Sequence, residues 1–307
     1  MTAAVSADGI PPLIEHGSVP RSLPQRLRDV WEYRELLGNL VRRELKVRYK
    51  ESFLGFIWTL LNPLLYLLVF SFVFGFVLKG GPPRYGLLFL SGLLVWNLFS
   101  VGLGSATSSI IGNGALVQKV WFPREILPIA AVGASIISFF FQIVVLVIGL
   151  AVFRQVPAWS MLWMLIPALL ATILLATGLG FILSAYNVYY RDTGHFLELA
   201  LLSLFWFTPI VYQYDFVAGA LRDWGGERAE WLTVLNPMIA PMVTFHRVLY
   251  NPSNLSPADQ EAHFELLMRG QGFLITMLAI SLLTSLVLCL VGIKVFARLE
   301  GDFGEAL

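Results

Sequence analysis

Six stretches of this chain contain no Asp, Glu, Lys or Arg: residues 52–78, 85–118, 126–153, 155–190, 199–214 and 270–293. A segment in hydrocarbon must satisfy its own backbone amides, and about 20 largely apolar residues of helix are needed to cross. The pattern predicts helices over 54–78, 86–110, 126–152, 160–184, 194–213 and 270–293. The fifth carries Glu198 in its first turn, where a carboxylate at a helix N-terminus near the headgroups is tolerated. The expected fold is an all-α integral membrane protein with six transmembrane helices within residues 51–298. Residues 299–307 form a short C-terminal segment.

Ahead of the first run, residues 31–50 place Tyr33, Leu37, Val41, Leu45 and Tyr49 at steps of four, with Leu36 and Leu40 alongside. Arg34, Arg42, Arg43, Lys46, Arg48 and Lys50 fill much of the remainder. That is an amphipathic basic helix suited to an interface with anionic lipid; an ordinary juxtamembrane anchor has the same pattern. Residues 1–30 hold Pro11, Pro12, Pro20 and Pro24 and read as a flexible tail. No basic start followed by an apolar core marks a cleaved signal peptide there. Residues 231–250 are apolar but interrupted by Pro237 and Pro241, which are expected to break the helical ladder, with His246 and Arg247 near the end. A seventh span would put the termini on opposite sides, so the expectation is an outer re-entrant or interfacial helical pair, sheltered by protein.

Lys/Arg bias sets the orientation. With the N-terminus inside, 14 of the 21 basic residues fall in inner segments and 7 in outer ones, which favours cytoplasmic termini.

Composition narrows the function. The chain of 307 residues is 57% hydrophobic and 13% charged, with mean hydropathy +0.73. About 25% charged is usual for soluble domains. Half that supply cannot cover a water-soluble body, so a soluble enzyme and a disordered protein are excluded. A net charge of +1 likewise gives no field for nucleic acid. A lone cysteine, Cys289, offers no disulfide frame or thiolate metal site. No phosphate-binding G-x-x-x-x-G-K-[ST] occurs, nor G-x-S-x-G, nor H-E-x-x-H. His16, His195, His246 and His263 are scattered over separate segments. Within the runs the polar residues are mild, such as Thr59, Asn62, Asn97, Ser105, Gln142 and Thr177. Ion-coupled carriers place carboxylates or bases near mid-depth, so the energy is expected to come from elsewhere.

Two short inner loops, 113–125 and 185–195, are polar and aromatic and pair Arg124 with Glu125 and Arg191 with Asp192. They are either plain connectors or docking elements for a cytoplasmic partner. Most of the many aromatics suit lipid contact and interfacial belts. Trp58, Tyr66, Trp96, Phe207 and Tyr212 are the candidates for lining a passage, because flat rings stack on sugar C–H faces yet permit sliding.

These motifs together resemble membrane subunits of the ABC-2 type polysaccharide and polyol-phosphate exporters. The resemblance rests on the run from Arg43 to Gly55 with Trp58 and Asn62-Pro63-Leu64, on NGALVQKVWFPREILP at 113–128, and on NVYYRD at 187–192. TPIVY at 208–212 and Asn236-Pro237-Met238 through Arg247 extend it, so that it covers about residues 31–298 in order. It implies a homodimer of six-span subunits in a bacterial plasma membrane, bound to two copies of a separate ATPase. That partner carries the ATP and Mg; this chain needs no cofactor and is not itself an enzyme. Coupling would fall on Gln118, Lys119, Trp121, Arg124, Tyr189, Arg191 and Asp192, and an outer gate on Asn236, Pro237, Pro241 and Arg247. The cargo would be a glycan or teichoic-acid-like polymer on a polyprenyl diphosphate. Arg43, Arg48 and Lys50 are placed to attract that diphosphate, or simply to hold phospholipid. The resemblance equally allows a drug or small-lipid efflux permease. A membrane glycosyl- or acyltransferase would need clustered Asp, Glu or His at one interface, which the sequence lacks.

Overall fold

The computed structural model describes residues 22–48, 55–77, 82–264 and 270–307, and every regular element among them is helical. Helix α1 covers Leu23–Glu32 and α2 Arg34–Arg48; α3 runs Trp58–Phe72 and widens into a π turn over Val73–Val77. Next come α4 (Tyr85–Gly112), the short α5 (Gly114–Lys119) and α6 (Ile126–Val152). A tighter stretch, Trp159–Met164, leads into α7 (Leu165–Tyr189), followed by α8 (Thr193–Phe207) and α9 (Tyr214–Gly225). The 3-10 segment Glu227–Leu235 precedes α10 (Ile239–Phe245), which continues as a π turn over His246–Tyr250. Helices α11 (Pro257–Phe264), α12 (Gln271–Leu299) and α13 (Phe303–Ala306) complete the described chain.

Among the described residues, five helical stretches are long and apolar enough to cross a membrane: Trp58–Val77, Tyr85–Gly112, Ile126–Val152, Trp159–Tyr189 and Gln271–Ala306. The expected fifth span differs. Its helix α8 has 15 residues and rises about 22 Å, short of a hydrocarbon core of about 30 Å. Pro209 is the cause, since a proline disfavours helical backbone at the residue before it, and Thr208 is extended at φ −108°, ψ 133°. The chain nevertheless carries on. Before α8, the Asn187 amide donates to the Thr107 carbonyl near the far end of α4. After it, the Val211 carbonyl accepts from the Tyr85 hydroxyl at the start of α4. Between Thr107 and Tyr85, α4 rises about 33 Å.

Helix α4 is the axis of the bundle. Twenty of its 28 residues are buried, which suits a helix that is apolar all round rather than on one face. Helices α6 and α7 pack along it, and α12 packs closely on α7. Helices α3 and α8 sit at the edge: three residues of α3 are buried, and in α8 one, Leu197. Their outward faces are apolar, with Leu65, Leu68, Val69 and Phe72 exposed on α3 and Phe196, Leu199, Leu202 and Trp206 on α8.

Part of the expected tail is structured. Residues 1–21 lie outside the described residues, but 23–30 belong to α1. The Ser22 amide donates to Gln25 Oε1 at 2.9 Å, satisfying a donor that a helix start leaves orphaned, and Pro24 is tolerated in the first turn. The apolar stripe of α2 faces the bundle: Leu40 is buried, and Tyr33, Leu36, Leu37 and Val41 pack on a core of Ile126, Leu127, Ala130 and Phe181. Both described chain ends meet, because Arg26 pairs with Glu300 at 2.7 Å. This is the terminal end of the bundle. At the distal end, Arg84 before α4 hydrogen-bonds Gln155 after α6.

Candidate functional site

The two connections expected to dock a partner both lie at the terminal end. Helix α5 and the residues after it expose Gln118, Lys119, Val120 and Trp121, the last at 61%. The turn after α7 exposes Tyr190, Arg191 and Asp192. Trp121 also meets Tyr33 of α2 edge to face at 6.4 Å, so α2 supports this surface. Arg124, half-buried, and Tyr189, exposed at the end of α7, both reach to the segment that follows α12. Arg124 Nη1 donates to the Glu300 carbonyl and its guanidinium stands over the Phe303 ring at 5.8 Å. The Tyr189 hydroxyl donates to the Leu299 carbonyl at 2.8 Å. Beneath them, Arg26 of α1 bonds both Glu125 and Glu300. Burial works against the Arg26 charge, but the hydrogen bond and charge of Glu300, with those of Glu125, raise its pKa above the ordinary arginine value. No spacing in the sequence links Arg26 to residues about a hundred and nearly three hundred positions away, so this cluster was not legible there.

The two described basic residues proposed for a diphosphate are held by neighbouring helices. Arg43 donates to the Asn113 side chain; Arg48 donates to Ser105 and Ser138, each at 3.3 Å. Lys50 lies outside the described residues. Arg43 lines a cavity of about 630 Å³ with Glu44, Ser105, Ser108, Asn113 and Asn187, a size that accommodates a small polar group.

Of the five aromatics, Trp58 and Tyr66 stand on the uncovered face of α3, exposed by 40% and 46%, and Phe207 at the end of α8 by 72%. Tyr212 is half-buried, and its hydroxyl donates to the Trp206 carbonyl. Trp96 differs: it is 6% exposed and packs against Phe99 and Phe205 at 5.7 and 5.6 Å. On an axial helix the ring fills the subunit's own core and lines no open space within it.

In the 231–250 region Pro237 lies at a break in the helical ladder, as expected, whereas Pro241 does not break it. Pro237 precedes α10, and Pro241 is its third residue, inside the first turn, where the missing amide donor breaks no helical bond. Asn236 ties the start of α10 to the end of α8. Its Nδ2 donates to Thr208 Oγ1 at 2.9 Å and to the Phe207 carbonyl at 3.4 Å, while its Oδ1 accepts from the Met238 amide at 3.0 Å. The Pro237 carbonyl accepts from Ser281, ten residues into α12, at 2.6 Å. At the other end of this segment the Tyr250 hydroxyl donates to the Pro83 carbonyl at the distal end. Arg247 is half-buried and donates to Asn251 and Ser253. Between α8 and α10, α9 and the segment after it form a hairpin clamped by Arg222 on Glu230.

Among the described residues no three His, Cys, Asp or Glu side chains converge on a metal-sized site. A bundle with five crossing-length helices, its connections sorted to two ends, is a multi-pass helical membrane protein. Comparison of the sequence with known proteins carries this further. Residues 35–226 match the ABC-2 type transporter family, and the chain belongs to that family. Similar proteins include an O-antigen export system permease protein, RfbA, of Myxococcus xanthus, 36% identical over 227 residues, covering 73% of this chain and 84% of the relative. Another of the same name from Klebsiella pneumoniae is 28% identical over 273 residues, covering 89% of this chain and 95% of the relative.

Proposed function

We propose that this chain is the transmembrane subunit of an ATP-driven exporter that moves a polysaccharide, borne on a polyprenyl diphosphate, out of the cytoplasm across the plasma membrane. The observation that carries the reading is the 36% identity to a permease of O-antigen export over 84% of that relative's length. Membership of the ABC-2 family fits a separate ATPase and a paired arrangement of subunits, here two of each.

Six crossings with both termini cytoplasmic follow if α8 and the turn at residues 208–211 count as one. The placement of Asn187 beside Thr107 and of Val211 beside Tyr85 supports this, because the segment covers the same rise as α4. Helix α2 would then lie at the inner surface, where Arg43, Arg48 and Lys50 attract the diphosphate. The hairpin and α10 would form a re-entrant outer gate. In its favour, Pro237 sits at the level of Ser281, about 15 Å along α12 from its distal start. Two copies meeting along the uncovered faces of α3 and α8 would enclose Trp58, Tyr66 and Phe207 as a passage with Tyr212 near its outer mouth. Trp96 has no part in it.

Docking of the ATPase falls on Gln118, Lys119, Trp121, Arg191 and Asp192, all exposed at one end. Trp121→Ala is expected to weaken capture of the ATPase subunit on the order of 10-fold, as loss of an aromatic anchor does, without lowering the permease's thermal midpoint. Co-purification against a tagged ATPase measures it; unchanged capture would remove Trp121 from the interface. For the function itself, depletion of the protein should leave lipid-linked polymer on the inner leaflet and strip polymer from the cell surface. Normal surface polymer under depletion rules the reading out. ATP hydrolysis by the purified complex that answers to drugs and not to lipid-linked glycan would point to small-molecule efflux instead.

A further inference from the structure

The last eight residues do more than end the chain. Phe303 is fully buried, and its ring is a shared contact of three segments: Arg124 from the α5–α6 connection at 5.8 Å, Tyr189 from the end of α7 at 6.2 Å, and Phe296 of α12 at 5.4 Å. Leu307 reaches α5, where its methyl carbons lie 3.8 and 4.0 Å from the place a Cβ on Gly114 would occupy. The backbone on this stretch is held as well: the Leu299 carbonyl by Tyr189 and the Glu300 carbonyl by Arg124. The Arg26 guanidinium, buried between Glu125 and Glu300, fixes the start of the stretch to α1 and to the α5–α6 connection. The single guanidinium serves two largely buried carboxylates, and losing it would leave both without this counter-charge, which holds its geometry.

We propose that residues 300–307 form a strap that joins both ATPase-docking connections and α12 into one rigid unit, with Phe303 and Arg26 as its positioning residues. A displacement delivered at either connection then reaches the other and α12 together. Without the strap, α5 and the α7–α8 turn would be two separate loops, and work done on one would dissipate locally. This inference rests on the docking role assigned to the terminal end under the proposed function.

The test uses the intact permease–ATPase complex with Phe303→Ala, Arg26→Gln and the conservative pair Phe303→Leu and Arg26→Lys. Amide hydrogen exchange is followed at 114–120 and 189–193, and polymer exported per ATP hydrolysed is measured in vesicles. Phe303→Ala and Arg26→Gln are expected to speed exchange at both segments together by at least 10-fold. Export per ATP should fall at least 5-fold with complex yield unchanged, and Phe303→Leu and Arg26→Lys should restore both. A merely local packing role would speed exchange at 299–307 alone and leave the ratio of export to hydrolysis as in the wild type; either result overturns the strap. Should Phe303→Ala not assemble, Arg26→Gln carries the same two readouts. Exchange needs no cargo, so the two readings separate. Joint loosening of both segments in a complex that exports no polymer would sink the exporter reading and leave the strap standing; export that continues at full ATP yield in both variants would do the reverse.

Discussion

Gly292→Val is expected to prevent recovery of a folded bundle, and even Gly292→Ala to cost ~3 kcal/mol, the upper end for overpacking a core. Helices α7 and α12 meet backbone to backbone. A Cβ on Gly292 would stand 2.2 Å from the Gly178 carbonyl oxygen, and one on Gly178 would stand 2.6 Å from the backbone nitrogen of Cys289. Neither obstacle is a side chain able to swing away, so relief requires the two helices to separate. Small residues allow this approach where apolar association alone gives no preference over lipid. Gly219→Ala in α9 is the control: nothing lies within 4 Å of its Cβ, and alanine there should gain up to about 1 kcal/mol of helix propensity. Thermal midpoints and the monodisperse fraction on gel filtration measure both. A Gly292→Val protein with the wild-type midpoint would show that the α7–α12 contact is not as close as described.

Arg222→Ala should cost about 3 kcal/mol locally and open the hairpin between α8 and α10. Glu230 is 2% exposed, and Arg222 reaches its Oε2 through Nε at 2.9 Å and Nη2 at 2.6 Å, while the Tyr214 hydroxyl donates to Oε1 at 3.1 Å. Removing the cation leaves a buried carboxylate with its charge uncompensated, which is far worse than never having buried the pair. The double replacement Arg222→Met with Glu230→Gln should recover much of the loss. Limited proteolysis at the exposed Gly225–Gly226 turn is the readout, with cleavage expected at least 10-fold faster in Arg222→Ala. If the gate lies here, export should fall in the same variant while ATPase capture stays unchanged.

Much of the bundle was legible because crossing a membrane imposes one simple constraint. Runs without charge and of sufficient length mark α3, α4, α6, α7 and α12 directly, since an unpaired amide or a charge in hydrocarbon costs several kcal/mol. The stripe of α2 was legible for a related reason: Tyr33, Leu36, Leu37, Leu40 and Val41 share one side at helical spacing. That spacing could not tell protein from lipid as the neighbour, and the structure sets the stripe against α6. Where local chemistry competes with length, the pattern misled. Pro209 ends α8 early although the apolar run continues to Tyr214, and Pro241, read as a breaker, sits in a first turn where it breaks nothing.

Side-chain partners were the least legible part. Trp96 and Trp58 look alike in sequence, each an aromatic inside an apolar run; one is packed within the axis of the bundle and the other stands on an uncovered face. Arg124 and Tyr189 border the exposed connections yet reach across to hold residues 299–303.

By itself, then, the sequence determined which segments live in hydrocarbon and that the chain carries no nucleotide-binding loop, because both depend on residue type within a short window. Only the tertiary structure decided which face of each helix is covered, where α8 gives way to a turn, and that Arg26 meets Glu125 and Glu300. Those outcomes depend on groups far apart along the chain arriving at one point, and residue type does not encode distance in space.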